Sequence, residues 1–230
     1  INPSAIILHA SHTHSGPQTS CRFVDSLGKL DLGYMEFLID QVIEGVGKAK
    51  GNLELVKIEK GTGTCDININ RRKEVDGKII MAPNAGGLVD HQLVVIRFKT
   101  ETNKVKGVLY HYACHPTVTD ENAISSEFCG VASGMLESSM DKETIVSYLQ
   151  GCCGDLRPKL ICNNLFYRGT NQDVEAMAAI LYCAVNSILN DKMQEVPSAE
   201  IYFDNKTIDL PVERVPALQE LKTMSTGETY

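Results

Sequence analysis

Two hydrophobic patterns alternate along this chain. Residues 4–11 (SAIILHAS), 52–61 (NLELVKIEKG), 91–100 (HQLVVIRFKT), 104–113 (KVKGVLYHYA) and 143–151 (ETIVSYLQG) are short apolar runs rich in Val, Ile and Tyr. Such runs predict strands. Between them the apolar period lengthens to that of a helix. Over residues 31–52, Tyr34, Phe37, Leu38, Val42 and Val46 fall on one face, with Gly51-Asn52 as the stop. Over residues 171–191 the stripe runs through Val174, Met177, Ala178, Leu181, Val185 and Leu189, and a shorter helix is expected over 129–140. The element order is mixed rather than strictly βαβ, which predicts an α/β fold with a mixed β-sheet core and helices packed on its faces.

Residues 66–91 are rich in Asn and Gly and read as a long ordered loop, a feature that in a compact domain tends to serve function. Residues 1–210 form one expected α/β domain, incomplete at both ends. Residues 211–230 begin a further segment with a helical start.

Composition narrows the classes of function. The 230 residues are 43% hydrophobic and 22% charged, enough to bury a core. The formal net charge of −7 argues against a nucleic-acid surface, which needs clustered Lys and Arg; the pair Arg71-Arg72 is too small. No apolar run approaches the roughly 20 residues that cross a bilayer, and no signal-like start is visible. Eight cysteines occur, several inside apolar runs where a free thiol behaves as a small hydrophobe. Reduced thiols favour a cytoplasmic over a secreted location. Without a C-x-x-C pair a zinc ribbon is not expected.

The candidate chemistry gathers at three expected strand ends: ASHTHSGP, HYACHPTVTDENA and LQGCCGDLRP. Strand carboxyl ends line the ligand crevice of open α/β sheets. His12 and His14 are two apart, so in an extended backbone they point the same way and can meet one metal. The alternative is a polar loop with satisfied histidines. His115 adds a third imidazole where Pro116 turns the chain, a position that is also often structural. His9 and His111 lie inside expected strands and read as packing groups, and His91 as a strand-start residue. In GCCGD, flanking glycines let the backbone approach a ligand and present N–H donors, or else make a plain tight turn capped by Asp155. Arg71 is the natural cation for a substrate carboxylate, carbonyl or hydroxyl. Neither a P-loop nor a G-x-G-x-x-G is present.

Taken together, ASHTHSGP, ININR, HPTVTDENAISSEFCGVAS and QGCCGDLRP, in that order over residues 10 to about 160, resemble the neutral/alkaline non-lysosomal ceramidase family. That resemblance implies a zinc amidohydrolase that cleaves the N-acyl bond of ceramide-like lipids. By position it makes His12 and His115 zinc ligands. His14 becomes a neighbour that hydrogen-bonds to the metal-bound water or the reacting carbonyl, and Arg71 a substrate-positioning cation. Where the family has a serine in Gly-Asp-Val-Ser-Pro, this chain has Arg157, a second substrate-binding residue that favours an anionic or strongly polar substrate over neutral ceramide. The family's glutamate and tyrosine ligands have no counterpart before Tyr230, so the chain reads as a middle piece. Asp155 or Glu127 is the candidate substitute oxygen ligand. The implied cofactor is Zn²⁺ and the implied partner a small-molecule or lipid-like amide. Two rival readings stand beside this one: a non-catalytic domain with weak metal binding, and a cysteine-dependent hydrolase using Cys152 or Cys153.

Overall fold

The computed structural model describes residues 6–21, 28–197, 204, 206–211 and 216–226. Residues 8–199 pack as one unit, and residues 1–7 with 200–230 as another. In chain order the elements are α1 (Leu32–Gly51), β1 (Val56–Thr64), β2 (Asn68–Val75), β3 (Lys78–Asn84), β4 (Gln92–Thr100) and β5 (Val105–Tyr112). They continue with α2 (Glu127–Ser138), β6 (Ile145–Gln150), β7 (Leu156–Pro158), β8 (Ile161–Cys162), β9 (Leu165–Phe166), α3 (Asn171–Asp191), β10 (Gln194–Glu195) and α4 (Leu218–Thr226).

The main sheet has the order β10-β1-β4-β5-β6. All its pairings are antiparallel except β5 with β6, which run parallel and are joined through α2. Alternation along the strands sorts the side chains. Leu93, Val95, Val108, Tyr110, Tyr112 and Val146 are buried in one cluster with Phe128, Ala132 and Leu136 of α2 and Val174, Leu181, Val185 and Ile188 of α3. Each fully buried aliphatic side chain stabilises by about 1.5–3 kcal/mol relative to exposure. The buried tyrosines keep their hydroxyls satisfied: Tyr110 donates to the Cys129 carbonyl at 2.7 Å and Tyr112 to the Cys65 carbonyl at 2.8 Å. α3 starts on a reciprocal cap in which Asp173 accepts from the Thr170 N–H at 2.7 Å and its hydroxyl at 2.9 Å. The mixed α/β sheet with packed helices is the architecture the apolar pattern predicted.

Three local expectations are corrected. The Asn-rich stretch is not a loop, because β2 and β3 form a hairpin turned at Asp76-Gly77, both at positive φ. Asp-Gly is the two-residue signal for such a turn, with a twist that matches the strands. The run SAIILHAS is not a buried strand: its residues 4 and 5 lie outside the described residues, and 6–11 are unpaired with Ile7 and Leu8 about four-fifths exposed. An apolar run supplies no partner strand by itself. α1 forms as expected, with Asp31 capping the Tyr34 N–H at 3.1 Å, yet it buries none of its residues. Periodicity defines an apolar stripe but not what covers it.

Candidate functional site

Parallel pairing of β5 and β6 brings two loop starts side by side. Tyr112 is opposite Gln150, so three residues further on His115 meets Cys153. The His115 Nδ1 lies 2.6 Å from the Cys153 carbonyl and 3.2 Å from that of Leu156. Carbonyl oxygens only accept, so Nδ1 carries the proton and Nε2 is left with its lone pair. This is the tautomer a metal ligand needs, oriented by a backbone acceptor. Gly151 permits the close approach: a Cβ there would come within 2.9 Å of the Ala113 Cβ and 2.8 Å of His111 Nε2.

The segment carrying His12 and His14 is fastened elsewhere. Thr13, between the two histidines, donates its hydroxyl to the Ser125 carbonyl at 3.0 Å, and the Ser125 N–H donates to the Ser15 carbonyl at 2.9 Å. His12 itself has φ 67°, the left-handed region. The two rings therefore converge through a turn rather than through strand alternation, a correction to the spacing argument. His12 Nε2 is 3.0 Å from His115 Nε2, and His14 Nε2 is 3.5 Å from His12 Nε2. One nitrogen from each of the three lies within 4.8 Å of the others, with His115 buried and the other two exposed. Ligand nitrogens at about 2.0–2.1 Å on a tetrahedral ion stand roughly 3.3 Å apart, so the His12–His115 and His12–His14 spacings fit one.

Burial is the main cause that lowers the pKa of both His14 and His115. Neighbouring His12 and Arg71 add to it for both, and Arg168 for His14; for His115 the Cys153 carbonyl opposes. Neutral imidazoles at pH 7 are what metal ligation requires. A cleft of about 320 Å³ opens beside His14, lined by Ser15, Gly16, Pro17 and residues 121–124. A larger cavity, about 420 Å³, lies at the opposite strand ends among Lys104, Lys106, Glu54 and Glu143 and carries no such chemistry.

The other candidates fall as follows. Arg71 sits on β2, and its Nε and Nη2 donate to the Gly154 carbonyl at 3.1 and 2.8 Å, leaving Nη1 uncommitted among the described residues. The GCCGD turn thus presents the carbonyls of Cys153 and Gly154 to the site, where the sequence suggested N–H donors. Arg157 does not line the cleft beside His14; it is buried under the Phe166 ring, 4.5 Å from its centroid. Neither oxygen candidate joins the imidazoles. Asp155 accepts from Asn70 Nδ2 at 3.2 Å, and the fully buried Glu127 accepts from the Thr119 N–H at 3.1 Å. His9 accepts from the Gln150 N–H at 2.7 Å. Burial raises the pKa of Cys153, and against it the favourable charge of Arg71 is the smaller effect. That weakens a thiolate mechanism. Thr13 and Arg168 had no visible signal in the sequence, since their roles depend on contacts across the fold.

The comparisons with known proteins follow the same lines. A family model described as neutral/alkaline non-lysosomal ceramidase, N-terminal, matches residues 2–180. The fold resembles that of neutral ceramidase from Pseudomonas aeruginosa at 18% identity and a TM-score of 0.66, over 80% of this chain and 31% of that one. A structure described as ceramidase complexed with C2 matches with the same figures, so the chain spans about a third of the length of these enzymes. No curated protein sequence is recognisably similar. No helix among the described residues is long and apolar enough to cross a membrane. With the motifs, the fold and the family model in agreement, the chain belongs to the neutral/alkaline non-lysosomal ceramidase family, in the region of its N-terminal domain.

Proposed function

We propose that this chain carries the metal-binding part of a zinc-dependent amide hydrolase that cleaves the N-acyl bond of a small or lipid-like amide. The observation that supports it most is the convergence of three imidazole nitrogens, one with its tautomer set by a backbone carbonyl. His12 and His115 would hold the ion through Nε2, and imidazole suits zinc among the available metals. Zinc supplies Lewis acidity at the carbonyl and brings the pKa of a coordinated water to about 7.

The protein's own groups do the rest. The buried Cys153 carbonyl keeps His115 from rotating or changing tautomer. His14, beside the two ligands and on the cleft wall, holds or moves a proton at Nε2. Arg71, anchored on Gly154, offers Nη1 to the substrate oxygen. Two imidazoles would leave the ion short of the usual three protein ligands, so tight binding would need a further ligand.

The test is metal analysis of the full-length protein with an N-acyl amide assay. About one zinc per chain and loss of hydrolysis on chelation, restored by zinc, is expected. Hydrolysis that survives chelation but stops on thiol alkylation would sink the proposal in favour of a cysteine enzyme. Absence of zinc and of hydrolysis would favour the non-catalytic reading.

A further inference from the structure

A fully buried carboxylate needs a physical reason to be there, and the chemistry described above gives Glu127 none. Its side chain is 0% exposed at the first residue of α2, and its Oε2 has no hydrogen-bond partner among the described residues. Burying such a group is costly unless it holds something. Its backbone is costly as well, because Glu127 has φ 57°, the left-handed region that residues with a Cβ avoid. Gly130 makes room for this turn, since a Cβ there would stand 2.3 Å from the Ser126 Cβ.

The turn 125–127 faces both histidine-bearing segments. On one side the Ser125 carbonyl accepts from the Thr13 hydroxyl at 3.0 Å and the Ser125 N–H donates to the Ser15 carbonyl at 2.9 Å, which grips the stretch carrying His12 and His14. On the other side Glu127 Oε1 accepts from the Thr119 N–H at 3.1 Å, and the chain from His115 to Thr119 is buried throughout. The two grips meet inside the turn, where the Glu127 N–H donates to Ser125 Oγ at 3.0 Å. His115 is therefore held from two directions: its ring by the Cys153 carbonyl at 2.6 Å, and the chain after it by Glu127. The Val118 carbonyl accepts the Gly169 N–H at 2.8 Å, a bond that ties the same stretch toward α3 rather than toward His12.

We propose that Glu127 is a positioning residue of the histidine cluster: through the 125–127 turn it sets the distance between His115 and the pair His12 and His14. Its effect passes through Thr119 and Ser125, because no hydrogen bond joins it to the three imidazoles among the described residues. The consequence for metal binding rests on the hydrolase reading above; the coupling of the two segments does not.

The experiment uses the full-length protein without and with zinc. In the metal-free protein, amide hydrogen exchange is followed at Ser125, Thr119, Val95 and Val185. Glu127→Ala should speed exchange at Ser125, whose N–H is bonded to Ser15 and not to Glu127, by about five- to ten-fold, the worth of one hydrogen bond. Exchange at Val95 and Val185, in the core, should not change. Zinc affinity should fall by about five- to ten-fold in Glu127→Ala and in Thr13→Val, which cuts the other arm. Either cut releases the same constraint, so the double variant should lose little more than the worse single one. Glu127→Gln keeps an acceptor for the Thr119 N–H and should stay within about two-fold of wild type. Unchanged exchange at Ser125 in Glu127→Ala overturns the proposal, as do additive zinc losses in the double variant or a Glu127→Ala affinity within about two-fold of wild type. If Glu127→Ala does not fold, Thr13→Val decides: exchange at Thr119 should rise, and an unchanged rate there overturns the proposal. Coupled exchange in a protein that binds no zinc supports the positioning role and overturns the zinc reading alone.

Discussion

Removing His12 or His115 should nearly abolish zinc binding, whereas removing His14 should not. The Nε2 atoms of His12 and His115 stand 3.0 Å apart, close to the roughly 3.3 Å of two ligands on one tetrahedral zinc. Zinc held by four protein ligands in small peptides is worth about 10–16 kcal/mol, or roughly 2.5–4 kcal/mol per ligand. Loss of one imidazole should therefore weaken binding by about 10²–10³-fold. His115→Ala should fall at the upper end. His115 is the buried, carbonyl-locked ligand, and its orientation costs nothing on binding. His14→Ala, which removes a group 3.5 Å from His12, should weaken zinc by about ten-fold or less but lower hydrolysis by about 10²–10⁴-fold, as expected for a proton-transfer group. The assay is competition for zinc against a chromophoric chelator on the full-length protein, with His91→Ala, outside the cluster, as a control. Zinc affinity within three-fold of the wild type in both His12→Ala and His115→Ala would refute the assignment. An equal loss in all three variants would make His14 a ligand and end its role as proton carrier.

Two further outcomes follow from the same geometry. The pKa values of His14 and His115 are lowered on folding, first by burial, from an ordinary 6.5, so the folded state binds fewer protons than the unfolded one. Metal-free protein should hold its full stability above about pH 6.5 and lose part of it as the pH falls from there toward the lowered folded values. Melting temperatures between about pH 7.5 and 5.5 check this, and a slope no shallower in His14→Ala would count against the account. Gly151→Ala should destabilise the fold by about 1–3 kcal/mol, because the new Cβ would sit 3.0 Å from the Ala113 backbone and push the β5 and β6 ends apart. The same displacement moves His115 from the Cys153 carbonyl, so zinc affinity should fall in parallel; stability loss without any change in zinc binding would break the link.

Much of this protein was determined by its sequence. Period-2 and period-3.6 patterns located β4, β5, β6, α2 and α3, because those elements bury one side against a common core and so must show the alternation. The histidines in HTHSGP and CHP were legible as a set because two end a strand-turn pattern and the third follows another, and the same motifs carried the family resemblance. Tertiary structure decided the rest. The β2-β3 hairpin was hidden because β2 is mostly polar and the apolar Ile79, Ile80 and Met81 of β3 are consecutive and exposed rather than alternating against a core, leaving Asp76-Gly77 as the sign. That residues 6–11 form no strand, and that α1 buries no residue, depends on what stands beside each segment, information that no local pattern contains. The meeting of His12 with His115, 103 residues apart, depends on the parallel register of β5 and β6 and on Thr13 reaching Ser125. The two free donors of Arg157 are likewise a fact of packing. The sequence names a cation where the family has a serine, but only the folded chain shows that it is buried and that its Nε and Nη2 lack a protein partner.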